Sequence, residues 1–281
     1  MIQPRPLIII GAPRSGTKFL RDGLAAGGNV TAIPYDINYV WRYGNESWPD
    51  DVLPASQCSD IARQYIRKFV LGFGGGSDVI VEKTVANPLR VPFVSAVFPE
   101  AKFVHLVRDG RDVIESAYRQ WQRPLDWRYT VKKARQFPIR NFRYAFWYAK
   151  NLLIGATNNR RGQVWGPRYS GISNDIRDKS LIEVCSKQWV ACIERATNDL
   201  QALADTEVIT VRYENLIDDE SSWRDLCQFA GIEDIDAVLI EVQRSTIPCT
   251  VGKWTTGLDD ERVNKMMPIV DSTLRDHGYT R

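Results

Sequence analysis

The sequence predicts an α/β fold of three layers, with helices on both faces of a central parallel sheet. Three observations carry this. Ile8-Ile9-Ile10 is a β-branched apolar run of the kind found in a parallel strand buried on both faces. It runs into a short turn, Gly11-Ala12-Pro13-Arg14-Ser15-Gly16, and then into an apolar-periodic helix through Phe19, Leu20 and Leu24. Further strand-like runs, Val79-Ile80-Val81, Lys102 to Val107 and Glu207 to Arg212, are separated by helical stretches. The 281 residues suit one domain spanning 1–281, with 118–178 as a helical and loop insertion.

The first strand, turn and helix form a P-loop-like cradle. Turn N–H groups and the positive end of the helix dipole converge there on one point, which suits an anion. Gly16 allows close backbone approach, and Thr17 opens the helix. The nucleoside-triphosphate pattern is G-x-x-x-x-G-K-[ST]. Gly11 and Gly16 keep its spacing, but Thr17 replaces the lysine and Lys18 the magnesium-binding hydroxyl. Arg14 is the cation inside the loop. This points to a phosphate-bearing donor handled without a metal. A P-loop kinase, which needs the missing residues, and a non-enzymatic nucleotide-binding module are the alternatives.

Next along the chain, Val30 to Ile33 reads as a short strand, and the stretch 34–44 follows it. The region beyond a strand's carboxyl end faces the ligand crevice of an open parallel sheet. Asp36 there is a candidate general base, or equally the acceptor of an Asx turn or a helix cap. A helix is expected from Ser59 to Phe69, a loop over Gly72–Gly76, then the strand ending in Glu82-Lys83-Thr84. Glu82 is a second candidate base, or a partner that fixes Lys83. Pro88 to Phe98 reads as a helix. Lys102 to Val107 is an alternating strand that leads into another helix, with Arg108 at the junction and His105 as a core or edge histidine.

From Tyr118 to Lys150 nine Lys or Arg residues are interleaved with tryptophans, tyrosines and phenylalanines, against Asp126 as the one acid. That asymmetry suits an anionic or sugar-like acceptor, or an anionic membrane surface. Residues 158–178 read as loop, Leu181 to Ala204 as a long helix, and Trp223–Phe229 and Ile235–Val242 as helices separated by Gly231. Arg244 to Gly257 is a loop, and the terminal helix, Leu258 to His277, is expected to break or kink at Pro268.

Two motifs resemble the sulfotransferases that use 3′-phosphoadenosine 5′-phosphosulfate (PAPS). Pro13-Arg14-Ser15-Gly16-Thr17 after a strand is similar to their first signature. Arg108 at a strand end with Ser116 eight residues on is similar to their second. The resemblance runs from the first strand to the last helix. It implies that Ser15, Gly16, Thr17 and Lys18, with Phe19 beside them, hold the 5′-phosphate. Arg14 would stabilise the bridging oxygen, and Arg108 and Ser116 would bind the 3′-phosphate. Lys83 would face the acceptor, Tyr213 would reach the adenine, and Lys253 would lie in a loop closing over the cofactor. The product would be 3′,5′-phosphoadenosine (PAP). Small-molecule members use a catalytic histidine for which this sequence has no matching position, which favours Asp36 or Glu82 as base.

Composition narrows the rest. Net charge is +3, too small to imply nucleic acid, and the chain is 44% hydrophobic and 25% charged. The five cysteines are odd in number, widely spaced and free of C-x-x-C pairs, as expected of reduced thiols in a cytoplasmic protein. With His105 and His277 the sole histidines, no metal site is expected. No run is long enough for a membrane span.

Overall fold

The computed structural model describes residues 3–123, 164–203, 206–247 and 250–280. Five strands form the sheet: β1 (Arg5–Ile10), β2 (Val30–Ala32), β3 (Val79–Glu82), β4 (Lys102–Val107) and β5 (Val208–Arg212). Their order is β2-β3-β1-β4-β5, every pairing is parallel, and Leu7 is opposite Val81 and Lys102.

Alternation along β1 explains its unbroken apolar run. Leu7 and Ile9 point to one face, against Leu20 and Leu24 of α1 (Thr17–Leu24), Trp223 and Leu226 of a later helix, and Val238. Ile8 and Ile10 point to the other, against Ile66, Phe93, Val97 and Leu200. With a helical layer on each face, all four are at most 1% exposed. Burying such side chains stabilises by about 1.5–3 kcal/mol each.

The remaining helices are α2 (Asn38–Trp41), α3 (Asp60–Leu71), α4 (Val91–Val97), α5 (Gly110–Trp121), α6 (Ile172–Asp178) and α7 (Leu181–Gln201). After β5 come α8 (Tyr213–Asp218), α9 (Glu220–Ala230), α10 (Ile235–Ser245), α11 (Trp254–Gly257) and α12 (Asp260–Asp276). Four depart from the sequence expectation, one being α11, which lies within the 244–257 stretch expected as loop. Part of the 158–178 stretch is the helix α6, while 158–163 falls outside the described residues. A helix, α8, starts directly after β5. And α12 is continuous through Pro268. Pro268 and Asn264, whose carbonyl it leaves unbonded, are both exposed, while Met266, Val270 and Leu274 anchor the buried face. The basic segment of the sequence lies, beyond Arg123, outside the described residues.

From β1 the chain turns toward β3 and β2, and from β4 it turns the other way, toward β5. Their carboxyl ends therefore flank the point where the connections diverge, the usual crevice for ligands in an open α/β sheet.

His105 in β4 is 3% exposed and lies beside the His277 ring, with centroids 6.4 Å apart. Burial, with His277 nearby, pushes its pKa down from 6.5 to about 4. The fold therefore favours the neutral ring, and the unfolded chain takes up the proton first as pH falls. The stability carried by neutral His105 is complete above pH 6.5 and lost as pH falls toward 4. In His105→Leu, denaturant melts should show a shallower loss of stability across that window than in the parent; an unchanged slope would remove this account.

Candidate active site

The five strand ends deliver the candidate residues to one edge of the sheet. Beyond β2 comes Asp36, beyond β3 Lys83, beyond β1 the loop from Gly11 to Gly16, beyond β4 Arg108, and beyond β5 Tyr213.

The loop after β1 is tight and left-handed at two places. Gly16 has φ 97°, and a Cβ there would stand 2.3 Å from the Tyr213 ring. Arg14 has φ 75°, the one positive φ at a non-glycine among the described residues. Such a backbone costs roughly 1–3 kcal/mol and tends to mark ligand clamps. Ser15 is fully buried, and its hydroxyl donates to the Ala12 carbonyl at 2.7 Å, so its side chain ties the loop together. The amide groups opening α1 are the anion donors that remain. Thr17 is buried, while the Lys18 side chain is 77% exposed and paired with Asp22 one turn on. Phe19 packs edge-on against Tyr213 and Trp223.

Arg108 joins several segments. Its guanidinium donates to the carbonyls of Arg14 at 3.3 Å and Thr250 at 2.5 Å. It also stacks over the Tyr213 ring at 4.1 Å and stands 3.8 Å from Asp112. Its Nε is buried and finds no protein partner. Arg14 Nε donates to Ser116 Oγ at 2.9 Å across the crevice between β1 and α5. Desolvation, then the neighbouring charges of Arg123, Arg119 and Arg108, hold the Arg14 pKa below its ordinary value. Positive charge is concentrated here.

The acceptor-side candidates form a separate group. Asp36 accepts the N–H groups of Asn38 at 3.1 Å and Val85 at 2.9 Å, so it does close an Asx turn. Its Oδ2 is also 4.0 Å from Lys83 Nζ. Desolvation lowers the Lys83 pKa, with Asp36 opposing. Glu82 points the other way, into the core, at 0% exposure. Burial pushes its pKa up to about 7 against hydrogen bonds from Thr84 and Trp41. The ion-pair partner of Lys83 is thus Asp36 rather than Glu82.

A profile described as the sulfotransferase family matches residues 6–157. The chain belongs to the sulfotransferase family. Protein-tyrosine sulfotransferase 1 of Danio rerio is 30% identical over 123 residues, covering 40% of this chain and 35% of that protein. An uncharacterized protein of Aquifex aeolicus is 30% identical over 130 residues, 41% of this chain and 17% of that one. These matches therefore span about a third of the curated relatives or less. Among solved structures, the sulfotransferase STF9 from Mycobacterium avium aligns over 100% of this chain and 78% of its own, with TM-score 0.55 and 11% identity. The sulfotransferase domain of the Synechococcus PCC 7002 olefin synthase aligns over 97% and 96%, with TM-score 0.54 and 14% identity. At such identities the likeness is one of fold.

Two residues of this sulfotransferase site escape sequence reading. Asp112, 2% exposed in the first turn of α5, accepts the N–H groups of Gly252 at 2.8 Å and Trp254 at 3.0 Å. It holds the loop that carries Lys253, whose own side chain is exposed. Glu214 accepts from Asp109 N and Tyr279 OH, joining the start of α5 to the chain's end. These contacts link residues far apart in sequence, and an acid near a helix start reads locally as a cap. No helix among the described residues is long and apolar enough to cross a membrane, and none of them form a metal-binding cluster.

Gly16→Ala should fold poorly or lose nucleotide-dependent stabilisation, because its Cβ would enter the Tyr213 ring and its φ is left-handed. A thermal-shift series with PAP that matches the parent's would contradict this.

Proposed function

We propose that this chain transfers a sulfuryl group from PAPS to a hydroxyl or amine of an acceptor, releasing PAP. The observation that carries the reading is the Arg14–Ser116 bond beside Arg108 at the crevice between β1 and β4, with the buried Arg108 Nε left for a ligand.

Arg108 and Ser116 suit the 3′-phosphate, since a guanidinium is always charged and offers a fork of donors to phosphate oxygens. The amides from Gly16 to Lys18, at the positive end of α1, suit the 5′-phosphate. Tyr213, held by Arg108 and Phe19, suits the adenine face. PAPS supplies the sulfuryl group and a phosphate leaving group. Arg14 stabilises the bridging oxygen as its bond to sulfur breaks and the acceptor oxygen's bond to sulfur forms. Asp36 takes the acceptor's proton, and Lys83 steadies the charge. Such a transfer needs placement and charge stabilisation more than covalent help.

The acceptor falls to the side of Asp36 and Lys83. Supporting an anionic, aromatic or sugar-like acceptor, the start of the basic segment, Arg119 and Arg123, borders Arg14 electrostatically. The curated relative from Danio rerio is named for transfer to tyrosine, a phenolic hydroxyl. The competing reading for the basic segment is attraction to an anionic membrane surface.

PAP titrated into the parent by calorimetry should bind, and Arg108→Ala should lose at least about tenfold in affinity, since a charged hydrogen bond is worth roughly 1.5–3 kcal/mol. Equal affinities would remove Arg108 from the donor site. With an acceptor found by screening glycans, phenols, lipids and peptides, Asp36→Asn should lower kcat about 10²–10⁴-fold while changing PAP affinity little. Activity should survive EDTA, because Lys18 occupies the position of the magnesium-binding hydroxyl; recovery solely on added Mg²⁺ would revive the kinase reading.

A further inference from the structure

We propose that Glu82 is a positioning residue: its buried carboxylate holds the Asp36 turn against Lys83 through Thr84, Asn87 and Arg90, and never meets the acceptor. This rests on the reading that Asp36 and Lys83 form the acceptor end of the site.

Both oxygens of Glu82 are fully engaged inside the protein. Oε1 accepts from Trp41 Nε1 at 3.1 Å and from Thr84 Oγ1 at 2.6 Å; Oε2 accepts from Asn87 Nδ2 at 2.9 Å. From this carboxylate two routes lead to the same turn. Thr84, having donated to Glu82, accepts the N–H of Ile37 at 3.3 Å. Asn87 accepts from Arg90 Nε at 3.0 Å, Arg90 Nη2 donates to Asn38 Oδ1 at 2.6 Å, and Asn38 N donates to Asp36 Oδ1. Ile37 and Asn38 are the two residues after Asp36, and Trp41 closes the helix α2 that follows them. Glu82, Asn87 and Arg90 are each 0% exposed.

The direction of donation along this path makes the idea testable. Every group facing Glu82 is a donor, so the site requires an acceptor on both oxygens. Glu82→Gln replaces one acceptor with an NH₂ that meets a donor, leaving two buried groups opposed. Asn87→Asp moves the carboxylate one step along the path. In the double variant the amide introduced at position 82 donates to the carboxylate introduced at position 87, which still accepts from Arg90. Every donor again has an acceptor, and the charge beside Arg90 is kept. Asn87→Asp alone puts two carboxylates within hydrogen-bond distance and should suffer most.

The test compares the full-length parent, Glu82→Gln, Asn87→Asp and the double variant. Each is followed by thermal unfolding and by the NMR signal of the ¹³C-methylated Lys83 amine, assigned by its loss in Lys83→Arg. Glu82→Gln should lower Tm by about 5 °C and Asn87→Asp by at least as much, while the double returns to within about 2 °C of the parent. The Lys83 signal should move in Glu82→Gln and return in the double variant. If Glu82→Gln does not fold, a folded double variant with the parent's Lys83 signal is the supporting result. A double variant no better than Glu82→Gln overturns the proposal, as does a Lys83 signal that Glu82→Gln leaves in place. PAP calorimetry on the same parent keeps the two readings apart: absence of PAP binding would overturn the donor assignment, whereas the variant pattern judges Glu82.

Discussion

The contacts of one guanidinium organise this site. Arg108 leaves the end of β4 and reaches the carbonyl of Arg14 in the loop after β1, the carbonyl of Thr250, the ring of Tyr213 after β5 and the carboxylate of Asp112 in α5. Most of those partners are far apart in sequence and meet because the parallel sheet ends all its strands at one edge. A lysine could serve one or two of them. The planar fork with an aromatic face beneath it serves all, and still leaves Nε free of protein partners. The arginine is therefore a structural tie among four segments.

Much of the scaffold was legible because its physics is local. Strands buried on both faces declare themselves as β-branched runs, and Gly16 marks a turn where the backbone must be left-handed. The pairing of Arg108 with Ser116 came from the family resemblance rather than from local physics, and the hydrogen bond that Ser116 accepts is from Arg14. What stayed hidden depends on contacts made across the fold. Arg42 and Arg90 are charged residues at 1% and 0% exposure, which their type does not advertise. Asp112 looks like a first-turn acid until the loop from Thr250 arrives. The α8 helix begins on Tyr213, a residue at home in strands, because the chain must turn away from the sheet edge there. Pro268 suggests a break or a kink, yet the helix is unbroken there, and exposure on its side of α12 lets solvent take up the freed carbonyl.

The pair of candidate bases shows the same limit more sharply. Two carboxylates near strand ends are indistinguishable by type. Burial separates them: Asp36 is partly exposed beside Lys83, whereas Glu82 is 0% exposed. Both acids are held by several donors, but the donors differ in kind. Backbone N–H groups and a largely buried lysine surround Asp36, whereas side chains buried on all sides surround Glu82. Solvent reaches the first, whose side chain is 20% exposed. For the second, an indole, a hydroxyl and an amide stand in the way.

The two ends of the site also differ in how their charge is balanced, and this bears on how a ligand would act on the fold. Beyond β2 and β3, Asp36 and Lys83 offset one another, and the buried Arg42 and Arg90 face Asp51 at 3.1 and 3.9 Å. Around the loop after β1, Arg14 has Arg108, Arg119 and Arg123 as neighbours, and Glu115 and Asp112 are already committed. Glu115 pairs with Arg119, and Asp112 binds the 250–254 loop. Repulsion among those cations opposes the folded arrangement, and a dianionic phosphate placed between them would relieve it and add hydrogen bonds at once. The strained φ at Arg14 fits the same scheme: the backbone is held in a conformation it would not choose, so that its carbonyl ties to Arg108 while its guanidinium crosses to Ser116.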